Sequence, residues 1–332
     1  SPLSSVPHVH QKDQGMDFLF CPFGAPTHYN PGTPILSIVY DLQFLDHPGF
    51  FTEQERFYRQ LHFDQVCQRA DHVATISEFT RQSVLRNSNL LPEQVTTIHI
   101  GFVHDYSIPS DPLETQKVLE RLGLKPKRYM FYPANFWAHK KHGVLLQAFQ
   151  LFRQEHPESN LKFVLTGALD DRREMLDAEA KRMGLDPHVI TPGFLPDQEI
   201  GILYRHAKGL IFPSLYEGFG IPLLEAMQAG IPVACSNVTS LPEIGGDAAL
   251  YFNPHDAREV SQSIESLEFN EELRNELIQK GYERLQFFGD ARAMAQNYAN
   301  LIRRIISSKR KIYAYGLHGL TEDRWFQKSA YL

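Results

Sequence analysis

The sequence predicts an α/β protein of two domains, each a doubly wound parallel sheet, and three observations carry that expectation. Short apolar runs rich in β-branched residues alternate with amphipathic stretches along most of the chain, the pattern of successive strand–helix units in a parallel sheet. A length of 332 residues suits about two domains. A charged stretch over 105–128, carrying Pro109, Pro112 and Pro126, divides the alternation into two halves.

Composition excludes several classes of function. Apolar residues make up 42% and charged residues 22% of the chain, ordinary values for a globular protein. A net charge of −6 argues against a nucleic-acid partner, which a basic excess would announce. Cys21, Cys67 and Cys235 are too few and too scattered for a disulfide framework or a zinc site, and their apolar surroundings suggest buried thiols in a reducing, cytoplasmic setting. No apolar run reaches the ~20 residues of a membrane span, and the start shows no signal-peptide pattern. The chain opens Ser-Pro-Leu rather than with methionine, the expectation for a fragment of something longer.

In the first half, residues 1–16 read as a loose polar arm. Strands are expected at Phe18–Phe23, at Ile35–Leu42 where β-branched residues cluster, at His72–Ile76 and at Val95–Gly101. Phe57, Leu61, Val66 and Ala70 give helical spacing between Phe51 and Ala70, opened by Thr52 with Glu55 three residues on. Ser77 caps a second helix running from Glu78 to about Arg86.

In the second half, Leu113–Leu122 is helical. Strands follow at 129–133, 161–166, 189–193, 209–212, 231–235 and 249–252, with helices between them and then over 256–267, 270–285 and 289–306. Strands and helices in that alternation complete a Rossmann-like domain, whose ligand crevice lies at the carboxyl ends of the strands. The boundaries fall at 1–117, 118–290 and 291–332, the last a terminal helix and tail.

The chemistry concentrates in Phe212–Pro232, FPSLYEGFGIPLLEAMQAGIP. A buried strand runs into a loop with Glu217 and the triplet Gly218-Phe219-Gly220, then Ile221 and a helix over Leu223–Ala229 with Pro222 at its first position. Glycines let a ligand approach the loop backbone. The open N–H groups of the first helical turn favour a phosphate. Glu225 falls in that first turn and Glu217 approaches from the loop, so a carboxylate flanks the phosphate position on each side. Electrostatics alone also place glutamates in first helical turns, so spacing leaves both readings open.

The segment E-G-F-G-I-P-L-L-E-A-M-Q-A-G-I-P-V resembles the E-x7-E signature of the retaining glycosyltransferases of family GT4, glycosyl transferases group 1. The likeness continues through S-x-x-P-E-x-x-G-D-A-A, with a loose register around Ser240, to Asp247-Ala248-Ala249. It implies the GT-B fold, two Rossmann-like domains facing a central cleft. Pro133-Ala-Asn-Phe-Trp-Ala-His-Lys-Lys-His142 is similar to that family's P-A-x-F-W-x-H-K-N pattern, which assigns Lys140 to the donor pyrophosphate and leaves Lys141 where asparagine is usual. Arginine, frequent in the family near Asn135, is absent there. A lysine is the wrong sign for a helix start, which independently favours a role for Lys140. The same likeness places Asn135, Thr166, Gly167, Phe194, Leu195, Glu217, Gly218, Phe219, Gly220, Ile221 and Glu225 around the donor. It gives Glu217 to the sugar hydroxyls and Glu225 to the ribose.

V-Y-D-L-Q-F-L-D-H-P, A-D-H-V-A-T-I-S-E-F-T and V-T-T-I-H-I-G resemble the later part of the family's first domain and put Tyr40 and Asp41 on the acceptor side. Tyr40 stands where histidine is common, and the family's opening units have no counterpart before Phe18. The domain therefore reads as short by about two units, completed by a missing N-terminal segment or partner domain. The resemblance implies a metal-independent, retaining hexosyltransferase without cofactor. It takes a UDP- or GDP-type sugar and delivers it to a glycan or lipid-linked acceptor in polysaccharide or glycoconjugate biosynthesis. A nucleotide-sugar-binding module, or a catalytic fragment with little activity alone, is the competing class; a sugar-nucleotide epimerase lacks support because the glutamate pair belongs to the transferases. His139 and His142 have no third ligand at a metal-binding spacing. A basic-apolar strip, Arg303, Arg304, Lys309, Arg310 and Lys311 among isoleucines, leaves peripheral membrane contact and a solvated face as alternatives.

Overall fold

The computed structural model describes residues 16–26, 32–101, 106, 111–167 and 171–316. The expected arm (Met16 apart), part of the proline-bearing divider and the side chains of Lys309, Arg310 and Lys311 lie outside that description.

Two parallel sheets form. The first joins β1 (Leu19–Cys21), β2 (Ile35–Val39), β3 (His72–Thr75) and β4 (Val95–Thr97) in that spatial order. Its helices are the short α1 (Gln43–Asp46), α2 (Glu53–Arg69) and α3 (Glu78–Arg86). Thr52 and Glu55 make the reciprocal capping box at the start of α2, and Ser77 Oγ accepts the Thr80 N–H at 3.1 Å to cap α3. The buried face of α2 keeps Val66 and Ala70 of the expected set but not Phe57. Phe57 is exposed, whereas Phe63, Val66 and the following Ala70 are buried; at spacings of three and then four they share one face.

β2 is buried along its whole length, as a strand covered on both faces must be. Ile35 and Val39 join a cluster with Phe44, Phe63, Val66 and Val73, while Leu36 and Ile38 point the opposite way and belong to the main core of the molecule. Sheet alternation therefore splits β2 between two cores.

The second sheet has β5 (Tyr129–Pro133), β6 (Lys162–Thr166), β7 (Val189–Gly193), β8 (Gly209–Phe212), β9 (Val233–Ser236) and β10 (Ala249–Phe252). Their order is β10-β9-β8-β5-β6-β7, the doubly wound order with its reversal between β5 and β8. Ahead of it runs α4 (Pro112–Arg121). The strands are linked by α5 (His142–Glu155), α6 (Asp171–Arg182), α7 (Asp197–His206), α8 (Ile221–Gln228) and the short α9 (Leu241–Gly245). After β10 come α10 (Ala257–Phe269), α11 (Glu271–Phe288) and α12 (Ala291–Gly316). The last of these runs ten residues beyond the expected end at 306.

α12 returns to the first sheet. Tyr298 meets Phe20 at 5.7 Å between ring centroids, and Arg304 donates to Thr96 Oγ1 at 3.3 Å, while Arg303 bonds Asn300 within the helix. The entry into α12 is tight. A Cβ on Gly101 would lie 2.3 Å from the Asp290 carbonyl oxygen. Gly101→Ala is expected to cost about 1–3 kcal/mol, the range for overpacking, in denaturant unfolding; an unchanged midpoint would show that the two segments separate freely.

The three thiols are free: Cys235 is buried, but Cys21 and Cys67 are only partly so, which corrects the expectation that all three are enclosed. Among the described residues no helix is long and apolar enough to cross a membrane.

Candidate active site

The reversal between β5 and β8 is where an open parallel sheet of this order holds its ligand crevice, and both loops singled out in the sequence leave the carboxyl ends of those two strands. After β5, the buried Tyr132 hydroxyl donates to the Lys140 carbonyl at 2.8 Å and folds the loop back. Lys140 ends a single 3-10 turn, Ala138–Lys140. Lys141 then adopts φ 56° and ψ 36° at the N-cap of α5, a left-handed conformation that asparagine tolerates better than lysine. That is a physical reason for asparagine in the family pattern at this position. The Leu215 N–H donates to the His139 carbonyl at 2.8 Å, so the β8 loop is tied to the β5 loop.

This tie brings Lys140 and Glu217 together. Lys140 Nζ lies 2.5 Å from Glu217 Oε1, and both side chains are only 14% exposed. The ammonium also stands 5.6 Å from the centre of the Phe212 ring. A cation and an anion thus share one sheltered point of the crevice. Burial, then Lys140 and His47, push the His139 pKa down to about 4, so His139 is neutral near pH 7.

The loop glycines also answer to packing. Gly218 has no room for a side chain because the Tyr40 carbonyl oxygen would lie 2.3 Å from its Cβ; its bareness serves the other domain. Gly220 has φ 112° and faces Leu241, whose Cδ2 would be 2.8 Å from a Cβ. Phe219 is buried, edge-on to Phe288 at 5.7 Å. With the ring enclosed, the expected donor contact of Phe219 falls to its backbone.

α8 starts one residue earlier than its expected first position, at the partly exposed Ile221, with Pro222 second. Glu225 is the fifth helical residue and so lies in the second turn, not the first. It accepts a 2.7 Å hydrogen bond from Tyr204, a fully buried phenol whose pKa is raised by burial and by Glu225. Tyr204 orients the carboxylate that the sequence singled out.

The carboxyl ends of β6 and β7 complete the crevice. Thr166 is buried and its carbonyl accepts the Ala134 N–H at 2.9 Å. A Cβ on Gly167 would be 2.7 Å from the Ala134 carbonyl and 3.0 Å from Asn135 Cα; only glycine lets these loops touch. Asn135 is exposed beside them. Phe194 is 73% exposed while Leu195 is buried, an apolar ring edge available to a planar ligand.

The first domain reaches the same loop. Ser77 Oγ donates to the Gly218 carbonyl at 2.7 Å. Thr80 Oγ1 lies 3.2 Å from the Tyr40 carbonyl and 3.4 Å from that of Gly218. Tyr216 is buried between His47 and Phe79, with ring centroids at 5.6 and 5.7 Å. Tyr40 is 40% exposed, and burial of the remainder raises its pKa. Asp41 caps the following turn through the Gln43 N–H at 3.0 Å. Tyr40 and Asp41 therefore meet the Glu217 loop through the Gly218 backbone.

Sequence reading missed several residues of this region. Ser77 was visible only as a helix cap. His47, within the quoted D-H-P, gave no signal of its own. Arg172, early in α6, is a cation close enough to His139 to contribute to lowering its pKa. The cluster with metal-ligand spacing among the described residues, Glu155, His156 and Glu265, sits at the C-terminal end of α5, on the side of the sheet opposite the crevice. His142 is buried against Tyr132 and Phe136, each at 4.9 Å, and takes part in packing.

A family profile described as Glycosyl transferases group 1 matches residues 115–284, which contain both glutamates, Lys140 and the whole second sheet. The O-antigen chain mannosyltransferase B of Escherichia coli is 32% identical over 225 residues, 68% of this chain and 58% of that relative's length. Among solved structures, Anabaena Alr3699/HepE in complex with UDP and glucose superposes with a TM-score of 0.70 at 19% identity, covering 82% of this chain and 72% of that one. WaaG, a glycosyltransferase involved in lipopolysaccharide biosynthesis, gives 0.69 at 16% identity, covering 87% of this chain and 79% of its own. These likenesses establish the GT-B fold for two parallel sheets meeting at a cleft. With the profile spanning the sheet that carries the Lys140–Glu217 pair, the chain belongs to the glycosyl transferases group 1 family.

Proposed function

We propose that this protein transfers a hexosyl unit, mannose being the first candidate, from a nucleoside-diphosphate sugar to a glycan or lipid-linked acceptor, with retention of configuration. The Lys140–Glu217 pair at the switch point of the second sheet carries this reading. The mannosyltransferase relative supports the sugar, and the UDP complex of the structural neighbour supports a nucleotide in the crevice.

The residues divide the work by charge. The donor diphosphate gains negative charge as the glycosidic bond to it breaks, so catalysis is mainly electrostatic. Lys140 and the first amides of α8 meet that charge. When the diphosphate enters, Lys140 turns from Glu217 to phosphate, and Glu217 is left beside the sugar hydroxyls. Glu225, oriented by Tyr204, takes the ribose diol. Phe194 and the Thr166–Gly167 backbone border the base. The acceptor enters from the Tyr40–Asp41 side, and the leaving phosphate takes its proton, which needs no covalent nucleophile from the protein. Bacterial polysaccharide or glycoconjugate assembly is the process this reading supports.

Calorimetry with UDP and GDP, and turnover with UDP-glucose and GDP-mannose, test the assignment. Glu225→Ala is expected to weaken nucleotide binding about tenfold or more, the effect of a lost charged hydrogen bond. Glu217→Ala should lower turnover while nucleotide affinity holds or rises, since Lys140 loses its competing partner. Equal loss of nucleotide affinity in both variants would overturn the division of roles. Tight binding by the wild type with neither transfer nor donor hydrolysis would favour a nucleotide-sugar-binding module.

A further inference from the structure

The loop after β9 touches both the Glu217 loop and the first domain. Thr239 Oγ1 accepts the Glu217 N–H at 3.2 Å. The single Ser240 hydroxyl lies 2.9 Å from the Glu217 carbonyl and 2.8 Å from that of Phe219. One turn on, in α9, Glu243 reaches across the cleft. Its Oε1 accepts from the Glu78 N–H at 2.7 Å and its Oε2 from the Phe79 N–H at 2.9 Å, the first two amides of α3, where the helix dipole favours an anion. His99 Nε2 lies 2.8 Å from Oε1. Burial alone would raise the Glu243 pKa; the bonds from His99, Glu78 and Phe79 outweigh it and hold the carboxyl below its ordinary value.

Thr239 has φ 56°. For a β-branched residue this is a strained backbone, which persists only where the surroundings over-determine it. The strain lies at the residue that holds Glu217, immediately ahead of two anchors: Ser240, bonded to the Glu217 loop, and Glu243, bonded to the first domain.

We propose that Glu243 is a positioning residue for the transfer reaction: by clasping the start of α3 it holds Thr239 in its left-handed conformation, and Thr239 in turn fixes the backbone of Glu217. The functional part of this inference rests on the transferase reading; the mechanical part does not. Approach of the first domain is thereby transmitted to the carboxylate beside the donor sugar. If the clasp opens, Thr239 relaxes and its hydroxyl leaves the Glu217 N–H.

Two readouts test it: amide hydrogen exchange of a peptide covering 215–220, and turnover of GDP-mannose and UDP-glucose alongside GDP and UDP affinity. Glu243→Ala should speed exchange in that peptide by about tenfold or more, leaving β8 protected. It should lower kcat about tenfold, with nucleotide affinity changed less than about twofold, since misplacement near an ångström is costly to rate. Thr239→Gly guards against a folding artefact. Glycine relieves the strain, so its melting temperature should hold or rise, yet exchange at 215–220 should quicken and kcat fall. Thr239→Ser keeps the hydroxyl and should stay near wild type. A purely structural Thr239 would give the opposite order, with glycine at least as good as serine, and would overturn the proposal. Unchanged exchange at 215–220 in Glu243→Ala would also overturn it, whether or not the chain transfers sugar. A wild type that binds neither UDP nor GDP, with exchange responding as described, would count against the transferase reading alone.

Discussion

Lys140→Ala is expected to weaken binding of the free nucleoside diphosphate by about 10- to 100-fold and to lower turnover by about 10²–10³-fold. The first figure follows from the loss of a hydrogen bond between charged partners, about 1.5–3 kcal/mol. The second follows from removing a preorganised charge where negative charge develops. Lys140 and Glu217 are in direct contact and only 14% exposed, which adds a stability effect absent from a simple ligand-contact view. Deleting the lysine strands a sheltered carboxylate, and such half-pairs destabilise more than the pair stabilised. Lys140→Ala should therefore lower the melting temperature, and Lys140→Ala with Glu217→Ala should recover part of it without recovering nucleotide affinity. Calorimetry and thermal unfolding on the four proteins of this cycle decide the matter. Unaltered affinity in the single variant removes Lys140 from the phosphate position, and additive stability effects would deny the pair any coupling.

The second sheet was legible in the sequence because each of its strands is an apolar run bounded by turn residues, and such runs need no partner to be recognised. The candidate site at its carboxyl end was legible as a candidate too, since glycines, a helix start and a lysine of unfavourable sign converge in two short segments. Contacts that depend on a second segment were hidden. The displacement of Glu225 into the second turn of α8 follows from Ile221 entering the helix, and nothing in the local sequence marks Tyr204 as its partner. The face of α2 was misassigned at Phe57 because helical spacing is equally well satisfied by Phe63, Val66 and Ala70, and only the packed sheet selects between them. Gly218 illustrates the limit most sharply. Its bareness is explained by Tyr40, 178 residues earlier, and glycine in a loop looks the same whether a phosphate or another backbone needs the space.

Gly218→Ala is expected to lower turnover about 10²-fold or more while leaving nucleotide affinity within about threefold, because it acts on the distance between domains and misplacement of about 1 Å is enough to cost that much rate. The added Cβ would stand 2.3 Å from the Tyr40 carbonyl oxygen and 3.1 Å from Asp41 Cβ. Backbone cannot rotate aside as a side chain can, so the two segments must separate by on the order of 1 Å to restore a van der Waals contact. The separation pulls directly on the bonds that Ser77 and Thr80 make to the Gly218 carbonyl. Lys140, α8, Glu225 and Phe194 all belong to the second domain and keep their mutual arrangement, which is why the nucleotide should still bind. Gly143→Ala is the matched control, since a Cβ there meets nothing within 4 Å and alanine is the better helix former. Turnover and calorimetry on the two alanine variants compare the same chemical change at a contact and at open space. Wild-type turnover in Gly218→Ala would mean that the approach of Tyr40 to the Glu217 loop is not the arrangement in which sugar is transferred. Parallel loss of nucleotide affinity would mean instead that the two domains bind the donor jointly, and Lys140 would no longer suffice to explain how the diphosphate is held.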